Sequence, residues 1–226
     1  MRFISILVCF GFFTPSVFAE PDVNRWEKQI AAFEAADRKT PPPKQAILFV
    51  GSSSIRGWKL NKYFPDLKTI NRGFGGSQMS DSVRYANRIV TPHKPKIVVV
   101  YAGDNDIADG KSPKQVADDY ILLVDKIRTQ LPHTHILFIA IKPSIRRWKL
   151  VDKMRKANQM IKEITKKDAQ QGFIDIDKPM IGDDSLPRKE LFAKDGLHLN
   201  HEGYVLWSKL TRDAIKIATA SKTPSP

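Results

Sequence analysis

Short runs of almost unbroken apolar residues alternate along this chain with longer stretches whose apolar positions recur every three or four residues. Ala46-Ile47-Leu48-Phe49-Val50 is the first such run and Lys96-Ile97-Val98-Val99-Val100-Tyr101-Ala102 the clearest. His135 to Ile141 is a further one, and Leu67 to Asn71 and Phe173 to Asp177 are shorter and more mixed. Runs of this kind, rich in β-branched residues and without alternation, predict strands covered on both faces, as in a parallel sheet. Between them the period changes. Trp26, Ile30, Phe33 and Ala36 predict an amphipathic helix from Pro21 to about Asp37, stopped by Pro41-Pro42-Pro43. Ser80 to Val90 predicts a second helix. Ser112-Pro113 opens a third with a cap and a first-turn proline; its stripe is Val116, Tyr120, Leu123, Val124 and Ile127, and it stops at Pro132. A long basic helix is predicted from Trp148 to about Ala169 and a final one from Glu202 to Ala218. Strands alternating with helices predict an α/β fold in which helix layers cover a parallel sheet. The sequence contains no internal repeat.

The first residues fall outside this pattern. Met1-Arg2-Phe3, the apolar run Ile4 to Phe13 and the small-residue site Val17-Phe18-Ala19 have the form of a secretory leader. The run is roughly ten residues, against about 20 for a bilayer span. A leader of residues 1–19 cleaved after Ala19 predicts a periplasmic or secreted protein without an integral membrane segment. Cys9 is the only cysteine. Its position and the preceding Val8 do not suit a lipoprotein, and cleavage would leave no thiol or disulfide. The remaining chain divides into a helix and proline-rich linker over 20–44, one globular domain over 45–219, and a tail over 220–226. Its expected form is a monomer.

Charge changes the picture little. Lys and Arg number 37 against 24 Asp and Glu, a net charge of +13. The basic residues are scattered over presumed helix faces, among them Lys153, Arg155, Lys156, Lys162, Lys166 and Lys167, with no interleaved aromatics. This predicts a solvated face and no nucleic-acid partner, with attraction to anionic envelope surfaces as the second reading. A hydrophobic fraction of 42% is sufficient for a core.

The chemistry collects at the strand ends. Gly51-Ser52-Ser53-Ser54 follows the first strand, Arg72-Gly73-Phe74-Gly75-Gly76-Ser77 the second and Gly103-Asp104-Asn105-Asp106 the third. In a parallel sheet these share one edge, where ligands gather. A later loop supplies Asp195-Gly196-Leu197-His198. Among five histidines, His198 alone has a carboxylate at Asp-x-x-His spacing after a glycine turn; His93 sits beside prolines, His133 and His135 flank the fourth strand and His201 begins a helix. A hydroxyl nucleophile, a base, an orienting acid and hydrogen-bond donors are thus available. Trp58, Phe74 and Tyr101 lie near these blocks, suited either to an acyl pocket or to core packing.

The set Gly51-Ser52-Ser53, Gly76, Gly103-Asp104-Asn105-Asp106 and Asp195-Gly196-Leu197-His198, in this order, resembles the SGNH or GDSL-type esterases and lipases. The resemblance implies a flavodoxin-like three-layer α/β/α sandwich with about five parallel strands in the order 2-1-3-4-5. It further implies a serine ester hydrolase with Ser53 as nucleophile, His198 as base and Asp195 as its orienting acid. The oxyanion donors it implies are the Ser53 and Gly76 N–H groups and the Asn105 amide, with no cofactor or metal. Where that family has Gly-Asp-Ser, this chain has Gly51-Ser52-Ser53, which leaves Ser52 as the alternative nucleophile. Ser54 is the expected cap of the segment Ile55 to Trp58.

Other hydrolase classes fit less well. The nucleophile elbow of α/β-hydrolases needs Gly-x-Ser-x-Gly, and here Ile55 stands two residues after Ser53. A metal-dependent hydrolase would recruit Asp104, Asp106, Asp195 and His198. A non-catalytic module for anionic glycan or lipid would not need Ser, His, Asp and Asn together. Small-molecule, glycan or lipid acyl esters are the expected substrates, short-chain ones first, with lysophospholipid and thioester as alternatives.

Overall fold

The protein is described here from a computed structural model covering residues 25–220. The expected leader and its cleavage site, and the tail from Ser221 on, lie outside the described residues. Five strands form one parallel sheet: β1 (Ile47–Gly51), β2 (Thr69–Gly73), β3 (Ile97–Tyr101), β4 (His135–Ile139) and β5 (Gln171–Ile174), in the order β2-β1-β3-β4-β5. The helices are α1 (Glu27–Lys39), α2 (Ser53–Arg56), α3 (Leu60–Tyr63), α4 (Met79–Ile89), α5 (Asp104–Ala108), α6 (Pro113–Gln130), α7 (Val151–Thr165) and α8 (His201–Ala220).

Alternate residues of the central strands serve two separate cores, as the two-residue strand period requires. Leu48, Val50, Val98 and Val100 pack with residues of α1, α4, α6 and α7, including Ile30, Ile89, Leu123 and Ile161. Ile47, Phe49, Val99 and Tyr101 pack on the other side with Trp58, Phe64, Tyr204 and Trp207. The expected three-layer α/β/α architecture and strand order are therefore those observed. Each such large side chain withdrawn from water contributes roughly 1.5–3 kcal/mol before the entropy of ordering is counted. No helix among the described residues is long and apolar enough to cross a membrane.

β2, β5 and the basic helix are displaced from their expected spans, and β4 stops at Ile139, two residues short of its apolar run. β2 begins two residues later than the apolar pattern implies and runs through Arg72 and Gly73, because β1 offers partners from Ile47 opposite Thr69 to Gly51 opposite Gly73. β5 starts at Gln171 rather than Phe173, and Gly172 lies directly over Leu137, where a side chain would collide. Asp175 and Asp177 leave the sheet to pair with Lys162 and Arg155. The basic helix begins as a 3₁₀ turn at Trp148–Leu150, and α7 ends at Thr165. Beyond it, Asp168 accepts the Gln170 N–H at 2.8 Å and turns the chain into β5.

The N-terminal helix is held by charge as well as by Ile30. Arg88 on α4 bonds Glu34 through Nε at 2.7 Å and Glu27 through Nη1 at 2.7 Å, while Arg72 pairs with Asp37. This seats Trp26 edge-on against Phe74, next to the loop after β2.

Candidate active site

The loops after β1, β2 and β3 meet at one sheet edge, as the parallel arrangement requires. At Gly51 the backbone adopts φ +136°, and a Cβ there would lie 1.9 Å from the Tyr101 carbonyl oxygen. Only glycine lets β1 end this tightly against β3. The Gly51 carbonyl accepts the Phe74 N–H at 2.9 Å, which ties the loop after β2 to the end of β1. Ser52 follows in extended conformation, and Ser53 is the first residue of α2.

Ser52 and Ser54 are buried, while Ser53 is partly exposed. The Ser52 hydroxyl has no hydrogen-bond partner among the described residues. Ser54 does not cap the segment that follows it: it lies inside α2, and its hydroxyl accepts a bond from Lys142 Nζ at 3.3 Å. Ser53 Oγ alone reaches a base, lying 3.1 Å from His198 Nε2.

The other ring nitrogen of His198, Nδ1, lies 2.5 Å from Asp195 Oδ2. The second oxygen of Asp195 accepts the Leu197 and His198 N–H groups at 3.0 Å each, so the Asp-x-x-His spacing folds as one turn around its own carboxylate. The His198 hydrogen bond, with those two backbone donors, holds the Asp195 pKa far below the ordinary carboxylate range. This loop is fixed from outside as well. Ala193 N–H donates to the His198 carbonyl at 2.8 Å, Arg146 N–H donates to the Gly196 carbonyl at 3.0 Å, and Phe192 bridges Leu199 in antiparallel fashion.

The loops after β2 and β3 carry the other residues expected as donors. Gly76 takes φ +76° in a turn closed by the Ser77 N–H to the Phe74 carbonyl at 3.4 Å. The N–H groups of Ser53 and Gly76 donate to no acceptor among the described residues. The Asn105 side chain is buried, and its amide donates to the Ser77 carbonyl at 2.9 Å, which ties the loop after β3 to the loop after β2. A carboxamide carries two N–H groups, so one remains. Ser53, Gly76 and Asn105 thus keep three neutral N–H groups of the kind that stabilises an oxyanion.

The acidic residues flanking Asn105 serve elsewhere. Asp106 is fully buried and accepts the Met79 N–H at the start of α4 at 3.1 Å, together with Lys111 Nζ at 3.1 Å. Asp104 pairs with Lys142 and Arg147. Neither stands with Asp195 and His198 as a ligand set, and the described residues contain no cluster of His, Cys, Asp and Glu suited to a metal ion. The other histidines are also placed apart from the site: His93 lies beside Asp37, and His201 lies 2.8 Å from the Tyr63 hydroxyl. Trp58, Phe74 and Tyr101 are all buried and packed within the two cores, which is the second of the two roles expected of them.

Two residues at this edge are not anticipated by the sequence reading. Lys142 Nζ bonds the Tyr101 hydroxyl and Asp104 Oδ2, each at 2.9 Å, and Arg147 Nη2 donates to Asn105 Oδ1 at 2.9 Å. Burial alone would raise the Asp104 pKa, but the ammonium and guanidinium beside it prevail and hold it below the ordinary value. A signal for Lys142 was present: it follows the apolar run His135 to Ile141 directly, at the same sheet edge as the other polar blocks. Arg147 carries no local signal, because its partner lies 42 positions earlier.

Comparison with known proteins bears on this arrangement. Over 184 residues the chain is 27% identical to a Drosophila melanogaster protein named platelet-activating factor acetylhydrolase IB subunit beta homolog, covering 76% of this chain and 79% of that one. A GDSL-like lipase structure from Bacteroides thetaiotaomicron superposes with a TM-score of 0.71 at 20% identity, covering 84% of this chain and 98% of its own. The family 3 carbohydrate esterase of Clostridium thermocellum superposes with a TM-score of 0.64 at 18% identity, covering 80% and 100%. The family description GDSL-like lipase/acylhydrolase matches residues 50–206, a span that runs from the end of β1 into α8 and holds every residue of the site just described. On that match the chain belongs to the GDSL-like lipase/acylhydrolase family.

Proposed function

We propose that the chain hydrolyses short-chain carboxylic esters through a covalent acyl-serine intermediate. The observation that carries this reading is the position of His198, 3.1 Å from Ser53 Oγ on one side and 2.5 Å from Asp195 on the other. Family membership supports ester hydrolysis in general. The acyl-enzyme route, the short acyl chain and the residue roles are the proposal.

In this reading His198 Nε2 accepts the Ser53 proton as Oγ bonds to the ester carbonyl carbon. The carbonyl π electrons move to oxygen, and that charge is met by the Ser53 and Gly76 N–H groups and the remaining Asn105 N–H. Asp195 holds the proton-bearing Nδ1 toward itself and stabilises the imidazolium. Collapse of the intermediate breaks the bond to the alcohol oxygen, which leaves with the proton from His198. Water then adds in the same way, and cleavage of the Ser53 ester releases the carboxylic acid. No step calls on a cofactor or a metal.

Short acyl groups are favoured by the names borne by similar proteins, which include an acetylhydrolase and an acetyl esterase. Export by the Met1 to Ala19 leader would bring the enzyme to O-acylated envelope polysaccharide or lysophospholipid. N-terminal sequencing of the protein from its native host tests that step, with Glu20 as the expected first residue. The decisive experiment for the activity is a hydrolysis profile of 4-nitrophenyl esters from two to sixteen acyl carbons, alongside labelling with a serine-directed fluorophosphonate. Cleavage that peaks at two to four carbons and label on Ser53 are expected. A peak at long chains would transfer the assignment to lysophospholipid. A protein that neither labels nor cleaves would be a binding module instead.

A further inference from the structure

We propose that Arg147 is a positioning residue for the oxyanion site, holding the Asn105 carboxamide in the one orientation that can serve a developing negative charge; this rests on the acyl-serine reading above. A carboxamide has two ends of similar shape, and turning it over would place its oxygen where the donor is needed. Two contacts forbid that. Arg147 Nη2 donates to Asn105 Oδ1 at 2.9 Å, and Asn105 Nδ2 donates to the Ser77 carbonyl at 2.9 Å. A flipped amide would set its N–H groups against the guanidinium and its oxygen against the Ser77 carbonyl, losing both bonds in a buried place.

The guanidinium is itself held. Its Nη1 lies 3.1 Å from Asp104 Oδ2, an ionic contact, and the same carboxylate oxygen accepts Lys142 Nζ at 2.9 Å. Lys142 also bonds the Tyr101 hydroxyl and the Ser54 hydroxyl, so the chain of contacts begins beside the nucleophile on α2 and ends on the oxyanion amide. Two cations and one anion leave a net positive charge behind the Asn105 carbonyl oxygen. That charge draws electron density toward Oδ1 and makes the remaining N–H a stronger donor. Arg147 follows β4, across the sheet edge from the loop that carries Asn105, so its contribution depends on the fold.

A double-mutant cycle with 4-nitrophenyl acetate tests this, using wild type, Arg147→Gln, Asn105→Ala and the pair, with thermal melts to verify folding. Arg147→Gln is expected to lower kcat about 10- to 100-fold with KM changed less than about threefold, a smaller loss than deletion of an oxyanion donor itself. In the Asn105→Ala background the same change is expected to cost less than about threefold, because the amide it positions is gone. Arg147→Lys, which keeps the charge but not the fork, is expected to recover part of the loss. If Arg147→Gln does not fold, the cycle is run with Arg147→Lys. Equal losses in both backgrounds, or a loss confined to KM, would overturn the proposal. Full activity in Ser53→Ala would instead overturn the acyl-serine reading on which it rests.

Discussion

Lys142 Nζ and Asp104 Oδ2 stand 2.9 Å apart with side-chain exposures of 1% and 5%, an ion pair sealed beneath the serine loop. Removing Lys142 leaves the buried Asp104 carboxylate with Arg147, 3.1 Å away, as its one remaining cation and with too few donors for its charge. Lys142→Met is expected to cost about 3–5 kcal/mol, and the loss should fall when Asp104 is also made neutral. Urea denaturation of both variants checks it.

The same carboxylate should govern part of the acid stability. Its folded pKa is held below the unfolded value, so its contribution is fully present above about pH 4 and is lost as pH falls through the lower, folded value. Wild type should therefore exceed Asp104→Asn most clearly above about pH 4, and the gap should narrow on acidification. Melting temperatures measured from pH 7 down to pH 2.5 decide this, and a gap independent of pH would contradict it.

Among the three adjacent serines only Ser53 reaches His198. Ser53→Ala and His198→Ala are each expected to lower kcat by roughly 10⁴ to 10⁶, and Asn105→Ala by about 10² to 10³. Ser52→Ala removes a buried hydroxyl without a partner among the described residues, so stability and kcat should both stay close to wild type. Inactivity of Ser52→Ala in a folded protein would shift the nucleophile by one residue.

Glycines at positive φ should differ in consequence. Gly51→Ala forces a carbon to within 1.9 Å of the Tyr101 carbonyl oxygen, so a loss above about 4 kcal/mol or failure to accumulate as soluble protein is expected. At Gly110, with φ +96° and nothing within 4 Å of a Cβ, only conformational strain of about 1–2 kcal/mol should appear. Chemical denaturation of the two variants side by side makes the comparison.

Much of this molecule can be read along the chain. Apolar runs without alternation marked buried parallel strands, and the residues that end them, Ser53, Gly76 and Asn105, lie where a parallel sheet must put them. The Asp195–His198 pair was legible too, because a three-residue spacing closed by a glycine turn is a local matter. The strand order came with the resemblance to the family rather than with the apolar pattern.

The tertiary structure decided what depends on distant partners. It extended β2 to Gly73 and began β5 at Gln171, since a strand lasts as long as its neighbour offers hydrogen bonds. It withdrew Trp58, Phe74 and Tyr101 into the core, and it put Asp106 on the start of α4 rather than in the site. Lys142 and Arg147 acquired their places beside Asp104 and Asn105 in the same way, because burial and charge pairing act between surfaces that only folding brings together.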